Sequence, residues 1–104
     1  MISIIIPSFN NLDYLKLCIE SIKKNSKFEN EILVHVNEGS DGTINYLTNL
    51  NIKFTNTINN VGLCVGCNMV AKKSKFDLIL YSHDDMYFLP DWDKYLIEKA
   101  KSLK

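Results

Sequence analysis

Two adjacent carboxylates, Asp84 and Asp85, follow the apolar run Leu78-Ile79-Leu80-Tyr81 in the stretch LYSHDDMYFLPDW. Like charges about 4 Å apart repel by roughly 4 kcal/mol at an effective dielectric of about 20, so a fold keeps such a pair only with a compensating cation or full solvation. A cation here would be a hard one, Mg2+ or Mn2+, taking oxygen ligands. It would let carboxylates face an anionic diphosphate and would neutralise charge as that group departs. A solvated Asp-Asp turn, or an aspartate capping the next helix, accounts for the dipeptide equally well, and the dipeptide alone leaves these readings open.

Other residues with chemical potential lie at the ends of apolar runs. Glu38 offers an acceptor to an N–H, as in the imide of uracil or the amidine edge of guanine, or is an ordinary loop glutamate. Phe9, after Pro7 and Ser8, packs either on a base or into the core. His83 is a metal ligand, a phosphate contact or a surface residue, whereas His35 sits inside an apolar run and reads as structural. Cys64-Val65-Gly66-Cys67 is a C-x-x-C without a second such pair or a nearby histidine pair, which favours reduced thiols packed on or near a helix. The odd number of cysteines, Cys18 included, argues against a secreted disulfide framework. The chain holds neither a P-loop, nor G-x-G-x-x-G, nor a nucleophile elbow.

The elements that must position these residues alternate. Ile2 to Ile6 reads as a buried strand stopped by Pro7, and Asn10 or Asn11 caps a helix with Leu12, Leu15, Cys18 or Ile19, and Ile22 on one face. Glu31 to Val36 is a second strand, and Thr43 caps a helix carrying Ile44, Leu47 and Leu50. Ile52 to Thr55 is a third strand, Leu63 to Lys73 a helix despite Gly66, and Asp77 to Ser82 a fourth strand. Asp91 caps a last helix with Trp92, Tyr95, Leu96 and Leu103 along one stripe. This rhythm predicts an α/β fold: a three-layer α/β/α, open and mostly parallel sheet with right-handed crossovers. Ligands bind such sheets outside the carboxyl ends of the strands, where strand order reverses. If the first and fourth strands are neighbours, the clusters at Pro7, Glu38 and Asp84 converge.

The 104 residues, 46% hydrophobic and 23% charged, fit one globular domain, 1–104. Twelve basic and twelve acidic residues cancel, and the basic ones are scattered, so no nucleic-acid partner is expected. No run approaches the ~20 apolar residues that span a bilayer, and Met1 leads into a strand without a signal peptide's basic start. The expected location is therefore cytoplasmic, or peripheral to a membrane.

Taken in order, four stretches resemble the amino-terminal half of a family 2 glycosyltransferase of the GT-A fold. SIIIPSFN is similar to that family's first-strand motif, VNEGSDGT to its Asp-Asp-Gly-Ser-x-Asp-Gly-Thr, NNVGLCVGCNMVAKKS to its Asn-x-Gly helix start, and ILYSHDDMYFLPDW to its DXD-type motif with the following Pro-x-Trp. The resemblance implies a nucleotide-sugar donor, most often a UDP-sugar, held by Pro7, Ser8, Phe9, Glu38 and Asp84, with Pro7 and Phe9 lining the base pocket and Glu38 reading the base. Asp85 would ligate Mn2+ or Mg2+, and Asp84 would approach the ribose or the metal. The implied reaction is direct displacement at the anomeric carbon by the hydroxyl of a saccharide or other acceptor, with a carboxylate base beyond residue 104. A missing second half would leave a sheet edge or helix face on which the chain pairs with itself.

The sequence departs from the family pattern at several points. Asn37-Glu38 stands for Asp-Asp, the following loop is one residue shorter, His83 opens the triplet, and Cys67 replaces an arginine. A non-catalytic nucleotide-sugar-binding or partner-binding module of the same fold is the alternative reading. A receiver-type signalling domain would carry acidic residues after its first strand, where this chain has Pro7-Ser8-Phe9.

Overall fold

A computed structural model describes residues 1–102, so Leu103 of the expected last stripe lies outside the described residues. The order is β1 (Ile2–Phe9), α1 (Leu12–Asn25), β2 (Glu31–Asn37), α2 (Thr43–Asn49), β3 (Lys53–Thr57), α3 (Gly62–Ala71), β4 (Leu78–Tyr81) and α4 (Trp92–Ser102). The strands form one parallel sheet in the order β3-β2-β1-β4. The chain steps outward from β1 through β2 to β3 and then crosses back to the far side of β1. The anticipated reversal therefore falls between β1 and β4.

Side chains of β1 and β2 divide by strand parity. Ile2, Ile4, Ile6, Val34 and Val36 join Leu15, Cys18, Ile19, Ile22 and Leu47 in the larger core, against which Trp92 and Ile97 of α4 also pack. On the opposite face Ile5 and Leu33 meet Val70 and Cys67 of α3. α1, α2 and α4 thus cover one face and α3 the other, giving the expected layers.

β1 continues past Pro7 to Phe9, against the expectation that Pro7 stops it, and Pro7 pairs in register with His35. The reason lies on the other side of the strand. Ser82 N–H donates to Ile5 O at 2.9 Å, so the peptide groups of Ile5 face β4, and with a period of two the nitrogen of Pro7 faces the same way. That nitrogen has no hydrogen to give, and the β1–β4 register ends at Ile5↔Tyr81. Proline is tolerated in this central strand because β4 has already left it.

Two caps also differ from expectation. Thr43 is the first residue of α2 and not its cap; Asp41 Oδ1 accepts from the Thr43 N–H at 3.3 Å and its hydroxyl at 2.6 Å, while Oδ2 accepts from Leu12 N–H at 3.0 Å. One carboxylate thereby ties the starts of α1 and α2 together. Asp91 is exposed, and the carboxylate that fixes α4 is the fully buried Asp93, which accepts from Lys27 N–H, Phe28 N–H and the Asn30 amide, each at 2.8 Å. Burial pulls the acid strength of Asp93 the other way, but these hydrogen bonds outweigh it and hold its pKa below the ordinary value.

At the opposite end from the strand termini, Glu31 accepts from Ser3 Oγ (2.7 Å), Lys75 N–H (2.9 Å) and Lys53 Nζ (2.9 Å), anchoring the segment that leads into β4. His35, which sequence reasoning assigned to structure, is fully buried, with Nδ1 2.7 Å from Thr55 Oγ1 and Nε2 3.2 Å from Thr57 Oγ1. Gly66 of α3 rests on its ring: a Cβ there would lie 2.5 Å from His35 Cδ2. Gly66→Ala is expected to destabilise the fold by roughly 1–3 kcal/mol, because the helix must lift from the sheet. An unchanged urea midpoint would show that the ring can yield.

Acid should act in two stages. Burial lowers the pKa of His35, so its contribution is complete above the unfolded value of about 6.5 and is lost as pH falls from there through the folded value. Asp93 and Glu31 also have lowered pKa values, so their contribution is complete above the unfolded carboxylate range of about 4 and is lost as pH falls through the folded values. Melting temperatures measured from pH 8 to pH 3 should fall in both windows, and His35→Gln should abolish the upper one. Persistence of the upper step in that variant would assign it elsewhere.

Candidate functional site

Where β1 and β4 part, a cavity of about 320 Å3 opens at the carboxyl ends of the strands. Its walls come from the end of β1 (Pro7, Ser8 and Phe9), the end of β2 (Asn37), the approach and first turn of α3 (Asn60, Gly62 and Leu63) and the loop after β4 (His83 and Asp84), with Asn11 at the rim. Clusters far apart in sequence thus converge because the missing donor of Pro7 and the end of the β4 ladder coincide.

Asp84 is aimed by β1. The buried Ser8 hydroxyl donates to Asp84 Oδ2 at 2.9 Å, and among the described residues Oδ1 receives no hydrogen bond. The peptide that carries the triplet is held from two more sides: the Ser82 hydroxyl donates to His83 O at 2.9 Å, and Cys18 Sγ lies 3.7 Å from the same oxygen. Burial pushes the Cys18 thiol up to about 11, so it stays protonated and able to donate. The exposed His83 ring packs edge-on to Tyr81, with centroids 5.2 Å apart.

Loops on the far side are braced by side-chain amides. Asn10 Oδ1 accepts from Ser40 N–H at 3.0 Å, and Asn56 Nδ2 donates to Val36 O at 2.8 Å and Glu38 O at 3.1 Å. Gly62 opens α3 with φ +83°, a conformation that L side chains resist, and its N–H donates to Asn60 Oδ1 at 2.9 Å. The first turn of α3 contains no acidic residue, so the positive end of the helix is not neutralised beside the cavity.

Of the residues singled out from sequence, Pro7, Ser8, Phe9 and Asp84 line the cavity. Phe9 is 48% exposed, so its ring is surface available for stacking and not core. Glu38 and Asp85 do not line the cavity, and both are exposed. Glu38 has already left the strand, with φ +65° and its N–H on Thr57 O at 2.8 Å. At the end of β2 it is Asn37 that lines the cavity; strand parity, which puts Asn37 on the same side as Leu33 and His35, is the signal that would have found it. Cys67, at the position of the family's arginine, packs toward Ile5 and Leu33, and burial raises its pKa. Cys64 is an exposed free thiol.

The donor set suits a hard cation shared with a ligand. Among the described residues no three His, Cys, Asp or Glu side chains group to hold a metal, and Asp84 with its neighbour Asp85 provides the local carboxylate oxygens. Mg2+ and Mn2+ are commonly held in this way, by one or two carboxylates plus substrate phosphates and water.

A parallel sheet whose order reverses at β1, with a cavity at the carboxyl ends of its strands, is an α/β architecture that can be set against known proteins. The profile of glycosyl transferase family 2 matches residues 3–104, and the chain belongs to that family. No curated protein sequence matches it. Among solved structures, residues 1–349 of S. aureus TarS in complex with UDP superpose with a TM-score of 0.86 at 20% identity, covering 97% of this chain and 32% of that one. The same protein in complex with UDP-GlcNAc gives 0.78 at 20% identity over 95% of this chain and 30% of that one. A mannosyltransferase from Pyrobaculum calidifontis, in complex with GDP-Man and Mn2+, gives 0.71 at 15% identity over 90% and 30%. The chain therefore spans about a third of the length of these structures. Among the described residues no helix is long and apolar enough to cross a membrane.

Ser8→Ala removes the hydrogen bond that aims Asp84. Affinity for Mn2+ in the presence of a nucleoside diphosphate should fall by about tenfold, the usual scale for losing a partner that orients a ligand. Calorimetric titration showing unchanged affinity would mean that Asp84 needs no such support.

Proposed function

We propose that this chain is the donor-binding part of a glycosyltransferase, which holds a nucleoside-diphosphate sugar for transfer of the sugar to an acceptor hydroxyl. The observation that carries this is the convergence of Pro7, Ser8, Phe9, Asn37 and Asp84 on one cavity at the topological switch point. The ligands of TarS and of the mannosyltransferase support a nucleoside-diphosphate donor. They carry different bases, so the base is a matter for this chain's own residues.

Phe9 stacks on the base, and Asp84 with Asp85 holds Mn2+ or Mg2+ beside the phosphates, Asp85 as direct ligand from outside the cavity wall. When bound, the cation neutralises the charge developing on the departing diphosphate. Ser8 keeps Asp84 turned toward that position, and Cys18 and Ser82 keep the loop from drifting. The base that deprotonates the acceptor lies beyond these residues. Whether the chain pairs with a second copy is read from its molar mass in solution, since Ile79 and Tyr81 of the edge strand β4 are nearly half exposed.

Nucleoside diphosphates should raise the melting temperature only weakly alone and more strongly with Mn2+. Asp85→Ala should abolish the metal-dependent increment. Retention of the increment would move the direct ligand to Asp84, and no shift with any nucleotide would remove the donor site altogether. Sugar transfer by this chain alone would place the base within it.

A further inference from the structure

Asn37 closes β2 on the cavity side and is only 3% exposed. Chemistry fixes which way its carboxamide points. Val61 N–H can only donate, so the atom 3.0 Å from it must be the oxygen, Oδ1. The Thr57 hydroxyl lies 3.2 Å from the same oxygen. One proton arrangement satisfies the whole chain of contacts behind it. Thr55 O–H donates to His35 Nδ1, His35 Nε2–H donates to Thr57 Oγ1, and Thr57 O–H donates to Asn37 Oδ1.

Both acceptor positions of Oδ1 are then used. Nδ2 meets no acceptor among the described residues, and no buried side-chain nitrogen or oxygen there lacks a partner, so Nδ2 is the atom that reaches the open cavity. The β2 end of the site therefore presents N–H groups and no side-chain acceptor from Asn37. The phosphate end lies opposite, where Asp84 calls for a cation, which leaves the base beside Asn37 and Phe9.

Resting on the donor-site reading above, we propose that Asn37 is the base-reading residue. It selects a base whose pairing edge carries an unprotonated ring nitrogen, cytosine N3 or adenine N1, over one carrying a ring N–H. Uracil and guanine, the first expected from the resemblance, could take an Asn37 N–H on O4 or O6, but their neighbouring ring N–H would find no acceptor on Asn37, where cytosine N3 and adenine N1 accept from it. A site that leaves such a donor buried and unpaired rejects the ligand strongly.

The test is calorimetric titration of the chain with CDP, ADP, UDP and GDP, each with Mn2+. CDP or ADP should bind at least about tenfold more tightly than UDP and GDP, and the order of the first two separates a pyrimidine site from a purine site. Asn37→Asp keeps acceptors for Val61 and Thr57 but replaces the N–H groups by an acceptor, so it should lose CDP and ADP and gain UDP or GDP. Its unliganded melting curve checks the fold, and if the variant does not fold, the wild-type ranking decides. UDP or GDP binding as tightly as CDP and ADP to the wild type overturns the proposal and leaves the donor site standing. Binding of no diphosphate overturns both.

Discussion

The nitrogen of Pro7 carries no hydrogen, and the site depends on that. A central parallel strand must satisfy donors on both sides, and buried backbone groups left unpaired cost as much as a lost hydrogen bond. At Pro7 one side makes no such demand. β4 can therefore end its ladder at the Ser82–Ile5 hydrogen bond and carry His83 and Asp84 away from the sheet. On its other side β1 stays in register with β2 as far as Phe9↔Asn37. The crevice is the wedge between a strand pair that continues and one that stops.

A wedge has use only if its walls hold still, and small polar side chains do this work. Ser8 fixes Asp84, Ser82 and Cys18 fix the His83 peptide, and Asp41 joins the two loops that flank Asn10. Behind the β2 wall stands a buried histidine whose two nitrogens meet threonines of β3. Its ring fills the space beneath α3 that Gly66 leaves open, so one close approach sets the height of the helix whose first turn lines the cavity. The chemistry of the rim thus rests on packing two residues deeper.

Much of this was legible in the sequence. The βα alternation and the parallel sheet follow from apolar runs and what ends them, and because β1 and β4 are neighbours, the condition set for convergence, Pro7, Ser8, Phe9 and Asp84 line one cavity. What escaped was long-range. Nothing near Asp93 announces that it will be buried and will serve N–H groups of Lys27 and Phe28, because its value depends on a loop 65 residues away. Likewise it is Asp41, one residue before the Gly42 cap, whose carboxylate serves the start of α2, through contacts to Thr43 that are shared with Leu12. Pro7 was misread as a stop because a proline's effect in a sheet depends on which neighbour its nitrogen faces, and that requires the strand order.

The choice between Asn37 and Glu38 shows how a motif and a strand can disagree. Motif matching treats the two as a pair and favours the carboxylate, since an acidic residue is the family's habit at that place. Strand geometry counts by twos. Leu33 packs beneath α3, and His35 and Asn37 share its side, while Val34 and Val36 pack into the opposite core. Glu38 would be next on that opposite side, but it has turned out of the ladder into a left-handed conformation. Parity therefore places the amide, and not the acid, at the wall of the site. Its oxygen is consumed within the protein by groups that can only donate or are best satisfied by donating. The chemistry offered to a ligand is set less by the residue's type than by which of its atoms the fold has already spent.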